Sequence, residues 1–165
     1  MLDKKGDNSF ELMWKKYDAT TLWEVLPVST KFMKEKPGIM NNRSHSHPMQ
    51  AGFDSWFFDG IAGIQPDITA PGFKKVILEP KLTNQLKWAR ADYNSVYGKI
   101  VSDRKWQGKK LIWNIEIPVN TTAEIRLPEY FSELQIDGKT VIKTKKKWES
   151  YTYPLSSGKH IVNVN

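Results

Sequence analysis

A chain of 165 residues buries roughly 70 % of its unfolded surface on folding, enough for a core that needs no covalent staples. It has no cysteine, which excludes a disulfide framework, a thiolate metal site and a cysteine nucleophile. The 25 Lys plus Arg against 18 Asp plus Glu leave a formal charge of +7, but the lysines are dispersed, which describes a solvated basic surface rather than a nucleic-acid stripe.

The first five residues, Met1-Leu2-Asp3-Lys4-Lys5, carry charge where a signal peptide would turn apolar. The opening reads as the interior of a longer chain. No run reaches the ~20 apolar residues of a membrane span, so no membrane partner is expected.

Apolar spacing changes near Pro66, from helical before it to alternating after it. The spacing therefore divides the chain into a helical segment, 1–66, and a β domain, 67–165. Phe10, Met13, Trp14 and Tyr17 form one stripe of a helix over about Ser9–Lys16, with Asn8 as cap and Glu11 completing a capping box. So short a helix needs a surface to lie on. A second helix is predicted from Pro48, a favourable first-turn residue, to about Ile64, capped by Ser46 or His47 and stopped by Gln65-Pro66. Met49, Phe53, Trp56, Phe57, Gly60, Ile61 and Ile64 share its broad face, and Asp54 and Asp59 fall on its wet side.

Strands are predicted over Lys74–Glu79, Leu86–Tyr93, Tyr97–Ser102, Leu111–Ile117 and Thr122–Leu127. In the fourth, Leu111, Trp113, Ile115 and Ile117 point one way while Asn114 and Glu116 point the other. Asp137-Gly138 marks a hairpin between Leu134–Ile136 and Thr140–Lys143, and the cluster Lys143, Lys145, Lys146 and Lys147 reads as a turn. Trp148–Tyr153 and His160–Val164, joined at Ser157-Gly158, complete the set. Eight or nine short strands at this spacing argue for a mainly β protein, an antiparallel β-sandwich preceded by two helices.

Three stretches carry a family resemblance. Ala19-Thr20-Thr21-Leu22-Trp23-Glu24 is similar to the A-T-T-x-W-E segment of bacterial α-L-rhamnosidases, and Ser44-His45-Ser46-His47 resembles the S-x-N-H segment that follows it. Gly63-Ile64-Gln65-Pro66-Asp67, Pro71–Val76, Tyr97–Ile100, Ile117–Ala123 and Leu127-Pro128 resemble that family's C-terminal sandwich. The resemblance implies that residues before Pro66 are the last part of an α/α toroid whose other helices lie upstream.

It also implies a site. Inverting glycosidases place two carboxyl groups about 6.5–9.5 Å apart, one protonating the leaving oxygen and one activating water. In the resembled family the Glu of A-T-T-x-W-E is that base, which falls on Glu24. Trp23 and His47 would contact the sugar. The general acid belongs to an upstream stretch, so the chain alone is expected to be inactive. By the same analogy the complete enzyme would act on terminal α-L-rhamnosides of plant-type glycans in the periplasm or outside the cell.

Without the resemblance, the same residues have plainer roles: Glu24 a surface carboxylate, His47 a cap before Pro48. With three histidines in all and no flanking carboxylate pattern, the pair His45/His47 gives no metal site, and no cofactor is implied. The alternative function is a non-catalytic carbohydrate-binding or scaffolding module, since seven Trp and six Tyr offer stacking surfaces. Phe10, Met13, Trp14, Phe53, Trp56 and Phe57 exceed what two helices and one sheet face can cover, which predicts burial against the upstream segment or self-association.

Overall fold

The computed structural model describes residues 10–24, 44–83, 85–128, 130, 131, 133–141, 146, 147 and 150–165. Asn8, the lysine-rich stretch Val28–Asn42, Lys143, Lys145 and Trp148 lie outside them. The chain forms two compact units, Met1–Asp54 and Ser55–Asn165.

In the first unit, α1 spans Phe10–Tyr17. The predicted stripe holds only in part: Phe10 and Met13 are buried, Tyr17 is half-buried and Trp14 is 43 % exposed. The Phe10 ring packs on Phe53, with centroids 4.6 Å apart. Asp18, in the left-handed region at φ 48, turns the chain out of the helix.

The second predicted helix is not one α-helix. Pro48–Asp54 is a 3-10 segment and Phe57–Ala62 a π-helical turn. Glycine explains part of this departure. Gly60 lets the Trp56 indole lie against the backbone, where a Cβ would come 2.5 Å from Nε1. Gly63, at φ 75, closes the π turn by donating its N–H to Phe58 O. Ile64 then leaves the helix for a strand, because its buried side chain belongs to the sandwich core. As expected, Asp54 and Asp59 are exposed.

The second unit is the sandwich. Among the described residues it holds β1 (Ile64–Pro66), β2 (Lys75–Leu78), β3 (Trp88–Ser95), β4 (Gly98–Gln107), β5 (Lys110–Ile117), β6 (Thr122–Pro128), β7 (Leu134–Ile136), β8 (Lys139–Thr140), β9 (Lys146–Lys147), β10 (Ser150–Leu155) and β11 (Gly158–Val164). One sheet runs β1-β2-β6-β10-β9 and the other β3-β4-β5-β11-β7-β8. The mainly β sandwich behind a helical segment is therefore as the spacing predicts. The strand count is higher because β1 and β9 are too short to read from alternation. Pro66 is tolerated in β1 because β1 is an edge strand.

Pairing is antiparallel throughout except between β2 and β6. The meander β3–β4–β5 lies between those two in sequence but in the other sheet. The chain crosses back at Pro118–Asn120, with Asn120 at φ 59. Alternation fills the space between the sheets. Leu111, Trp113, Ile115 and Ile117 of β5 meet Val76 and Leu78 of β2 and Ile125 and Leu127 of β6 in one buried cluster. Each such side chain contributes about 1.5–3 kcal/mol on burial.

Candidate functional site

The segment ending at Glu24 and the segment opening at Ser44 lie side by side. Glu24 N–H donates to Ser44 O at 2.9 Å, and His47 N–H donates to Leu22 O at 2.7 Å. The Thr21 hydroxyl donates to His45 O. These bonds fix the backbone on both sides of Trp23, so the side chains of residues 23, 24 and 45 are carried by a braced ladder rather than by loose loop.

Glu24 is half-buried, and its Oε2 accepts the Ser44 N–H at 3.0 Å. An amide donor on one oxygen fixes the orientation of the carboxylate. Ser44 is itself held by a local turn, its hydroxyl donating to Ser46 O at 2.8 Å and accepting Ser46 N–H at 3.1 Å. The Trp23 ring stacks on His45, with centroids 4.4 Å apart and planes 14° from parallel. Tyr17 tilts against Trp23 at 5.9 Å.

Of the three residues singled out from sequence, the structure thus brings the backbone of His47 to the Leu22–Glu24 segment and leaves its side chain half-buried before Pro48. The imidazole that lies on Trp23 is that of His45. The sequence marks His45 only as half of an H-x-H pair, and it does not mark Ser44 as the donor to Glu24. No local signal points to either, because the contacts join residues about twenty positions apart or more. Among the described residues no group of three or more His, Asp or Glu is arranged to hold a metal. None of their helices is long and apolar enough to cross a membrane. What remains is a carboxylate held by a backbone amide, next in sequence to an indole that is stacked on one imidazole.

The second unit carries a different polar device. Ser102 Oγ donates to Ala62 O at 2.7 Å and accepts the Trp113 Nε1–H at 2.9 Å, all buried. Arg104 Nη2 donates to Ile61 O at 3.0 Å. Together they fasten the end of the π turn to the inner face of the six-stranded sheet. Burial lowers the Arg104 pKa.

Proteins that share this architecture define the class: glycoside hydrolases. Residues 63–141 match the family model for the bacterial α-L-rhamnosidase C-terminal domain. Over 128 residues, 74 % of this chain, it is 33 % identical to an α-L-rhamnosidase of Formosa agariphila, covering 13 % of that protein. It is 31 % identical over 114 residues, 69 % of this chain, to one of an Alteromonas species, covering 12 % of that protein. Among solved structures, an α-L-rhamnosidase from Dictyoglumus thermophilum superposes with a TM-score of 0.78 at 25 % identity, over 98 % of this chain and 18 % of that one. The fold is also that of the Streptomyces avermitilis α-L-rhamnosidase solved with L-rhamnose, at a TM-score of 0.73 and 21 % identity, over 96 % of this chain and 15 % of that one. Over residues 63–141 the sandwich is that of the bacterial α-L-rhamnosidase C-terminal domain, and the chain spans about one eighth of the curated relatives' length.

Proposed function

We propose that the chain is the C-terminal end of an inverting glycoside hydrolase acting on terminal α-L-rhamnosides of plant-type glycans, with Glu24 as the base that activates water. The observation that carries this is the Ser44 N–H on Glu24 Oε2, which holds a half-buried carboxylate in one orientation. Trp23 and His47 contact the sugar in this reading, and the stack of His45 on Trp23 keeps the indole plane fixed. The general acid comes from upstream helices, so the chain alone does not hydrolyse glycosides.

The test has two arms. The isolated chain is expected to release no nitrophenol from an aryl α-L-rhamnoside; release that disappears on Glu24→Gln would sink the claim of inactivity. In a chimera where this chain replaces the matching end of the Formosa agariphila enzyme, Glu24→Gln is expected to lower kcat by about 10²–10⁴. An unchanged kcat would remove Glu24 from the chemistry.

The same reading explains the apolar side chains left in water. Trp14, Trp56 and Phe58 are 43 %, 51 % and 43 % exposed, respectively. Upstream helices would cover them, and in their absence the isolated chain self-associates. A monodisperse monomer by light scattering at high concentration counts against this.

A further inference from the structure

We infer that the outer face of the six-stranded sheet binds a neutral saccharide, seated on the Trp88 indole and hydrogen-bonded by Arg90, Asp103, Asn114, Glu116 and Lys159. This site lies wholly in the sandwich and does not draw on Glu24.

Register puts these residues together. Arg90 of β3, Asp103 of β4, Asn114 of β5 and Ile161 of β11 are direct cross-strand neighbours, as are Val101, Glu116 and Lys159 in the next row. Each row crosses the sheet on its solvent side, because Ser102 and Ile115 between the rows, and Ala89, Arg104, Trp113 and Val162 flanking the first, point inward and are buried. At about 4.8 Å per strand, the row from Arg90 to Ile161 spans roughly 14 Å. That length suits an oligosaccharide rather than a single small ion.

The surface is a groove and not a plain. A depression of about 280 Å³ runs along it, lined by Arg90, Asp103, Asn114, Glu116, Lys159 and Ile161 among others. Arg90 also lines a larger, mostly apolar groove of about 520 Å³ that contains Trp88. Trp88 and Arg90 are two residues apart on one strand, so the indole adjoins the polar rows. Trp88 is 63 % exposed, so its indole offers an open flat face on which a sugar ring can stack.

The chemistry selects the ligand class. The groove's charged side chains are two cations, Arg90 and Lys159, and two anions, Asp103 and Glu116. A balanced set gives a polyanion no local net attraction, which favours a neutral ligand in this groove. It offers vicinal hydroxyls both donors and acceptors, with Asn114 supplying each from one amide. Among the hydrogen bonds and ion pairs of the described residues, the side chains of Asn114, Glu116 and Lys159 engage no neighbour. Only Arg90 and Asp103 are paired, at a long 3.6 Å and with Arg90 58 % exposed. Such a pair is worth little and yields readily to a sugar.

The test is an amide-detected NMR titration of the whole chain with L-rhamnose, D-galactose and xylohexaose, with duplex DNA as a control. Shifts are expected at Arg90, Asp103, Asn114 and Glu116 and at the Trp88 indole with at least one of the sugars. Trp88→Ala and Asn114→Ala, both exposed and leaving the thermal midpoint unchanged, are each expected to weaken that binding at least tenfold. No shift on this face at saturating sugar overturns the proposal. So does tighter binding to DNA than to every sugar. Shifts confined to Trp23, His45 and His47 overturn it while leaving the Glu24 reading standing.

Discussion

The carboxylate of Asp137 lies 2.8 Å from Nδ1 of His160, and its other oxygen accepts the N–H of Ile161, also at 2.8 Å. His160 Nε2 meets Ser156 O at 3.0 Å, so one imidazole ties the β7–β8 turn to the β10–β11 turn. The hydrogen bond from His160, followed by that from Ile161, holds the Asp137 carboxyl below its usual range. A folded value below the unfolded one means stabilisation that is complete above about pH 4 and is lost as the pH falls through the folded value. Asp137→Ala is expected to destabilise by about 1 kcal/mol at neutral pH, the low end for a charged hydrogen bond because water screens the site. Its side chain is 46 % exposed. Alanine would also meet φ 52, a left-handed position that asparagine tolerates, so Asp137→Asn costs less. Urea unfolding near neutrality and at strongly acid pH checks this. A gap between wild type and Asp137→Asn that persists in acid would contradict it.

Strand β5 is fully legible in the sequence, because Leu111, Trp113, Ile115 and Ile117 alternate with polar residues and all four are buried. Alternation carries strand β4 only as far as Ser102, yet it runs to Gln107. Arg104 is the reason: a core position filled by arginine looks like a surface one until its partner, Ile61 O, is known. Strand β1 is hidden for the opposite cause, since Gln65-Pro66 reads as a helix stop and only pairing with β2 makes it an edge. In the candidate site the residue types are visible at Trp23, Glu24 and His47. The Ser44 amide and the His45 ring are not, since they come from the far end of a long excursion. Periodicity sees neighbours a few positions away and is blind to such pairs.

The fastening of the π turn can be dissected by two substitutions. Ser102→Ala leaves both Ala62 O and Trp113 Nε1–H buried without their partner, at a cost of about 2–3 kcal/mol. Arg104→Met loses one bond to Ile61 O but also removes a fully buried cation. Arg104 Nε and Nη1 find no acceptor among the described residues. The two effects offset, and a change within about 1 kcal/mol of wild type is expected. Denaturant midpoints compare the pair directly. A larger loss for Arg104→Met than for Ser102→Ala would mean that the guanidinium is better satisfied than its surroundings indicate.

Asp67 opens the connection from β1 to β2 and is closed into an Asx-type turn. Its Oδ1 accepts the Thr69 N–H at 2.9 Å and the Thr69 hydroxyl at 2.7 Å, and Oδ2 faces Lys75 Nζ at 2.9 Å. These contacts, Thr69 first and Lys75 after, hold the Asp67 carboxyl far below the ordinary range, while Asp67 in turn raises the Lys75 ammonium. The carboxylate therefore stays ionised where a free aspartate is half protonated, near pH ~3.9. Its stabilising share is present above that pH and fades only on further acidification. Carbon-detected NMR titration reads this residue by residue. Thr69→Ala is expected to move the Asp67 midpoint upward more than Lys75→Met does, and the reverse order would show that charge rather than hydrogen bonding sets it.

Gly63 concentrates two separate constraints in one position. Its φ is 75, and a Cβ there would lie 2.2 Å from Pro80 N and 2.6 Å from Glu79 C. The close approach is not incidental, because Gly63 O accepts the Glu79 N–H at 2.9 Å and so joins the π turn to the end of β2. Backbone cannot move aside as a flexible side chain would, and Gly63→Ala is expected to cost about 3 kcal/mol or more. Gly108 supplies the comparison. It has φ 61 and open space for 4 Å around the place a methyl would take, so Gly108→Ala carries only the left-handed penalty. That penalty is about 1 kcal/mol. Measured side by side by thermal unfolding, the two losses should differ by a factor of about three or more. Equal losses would mean that the chain at Glu79-Pro80 gives way, and that conformation alone fixes the choice of glycine.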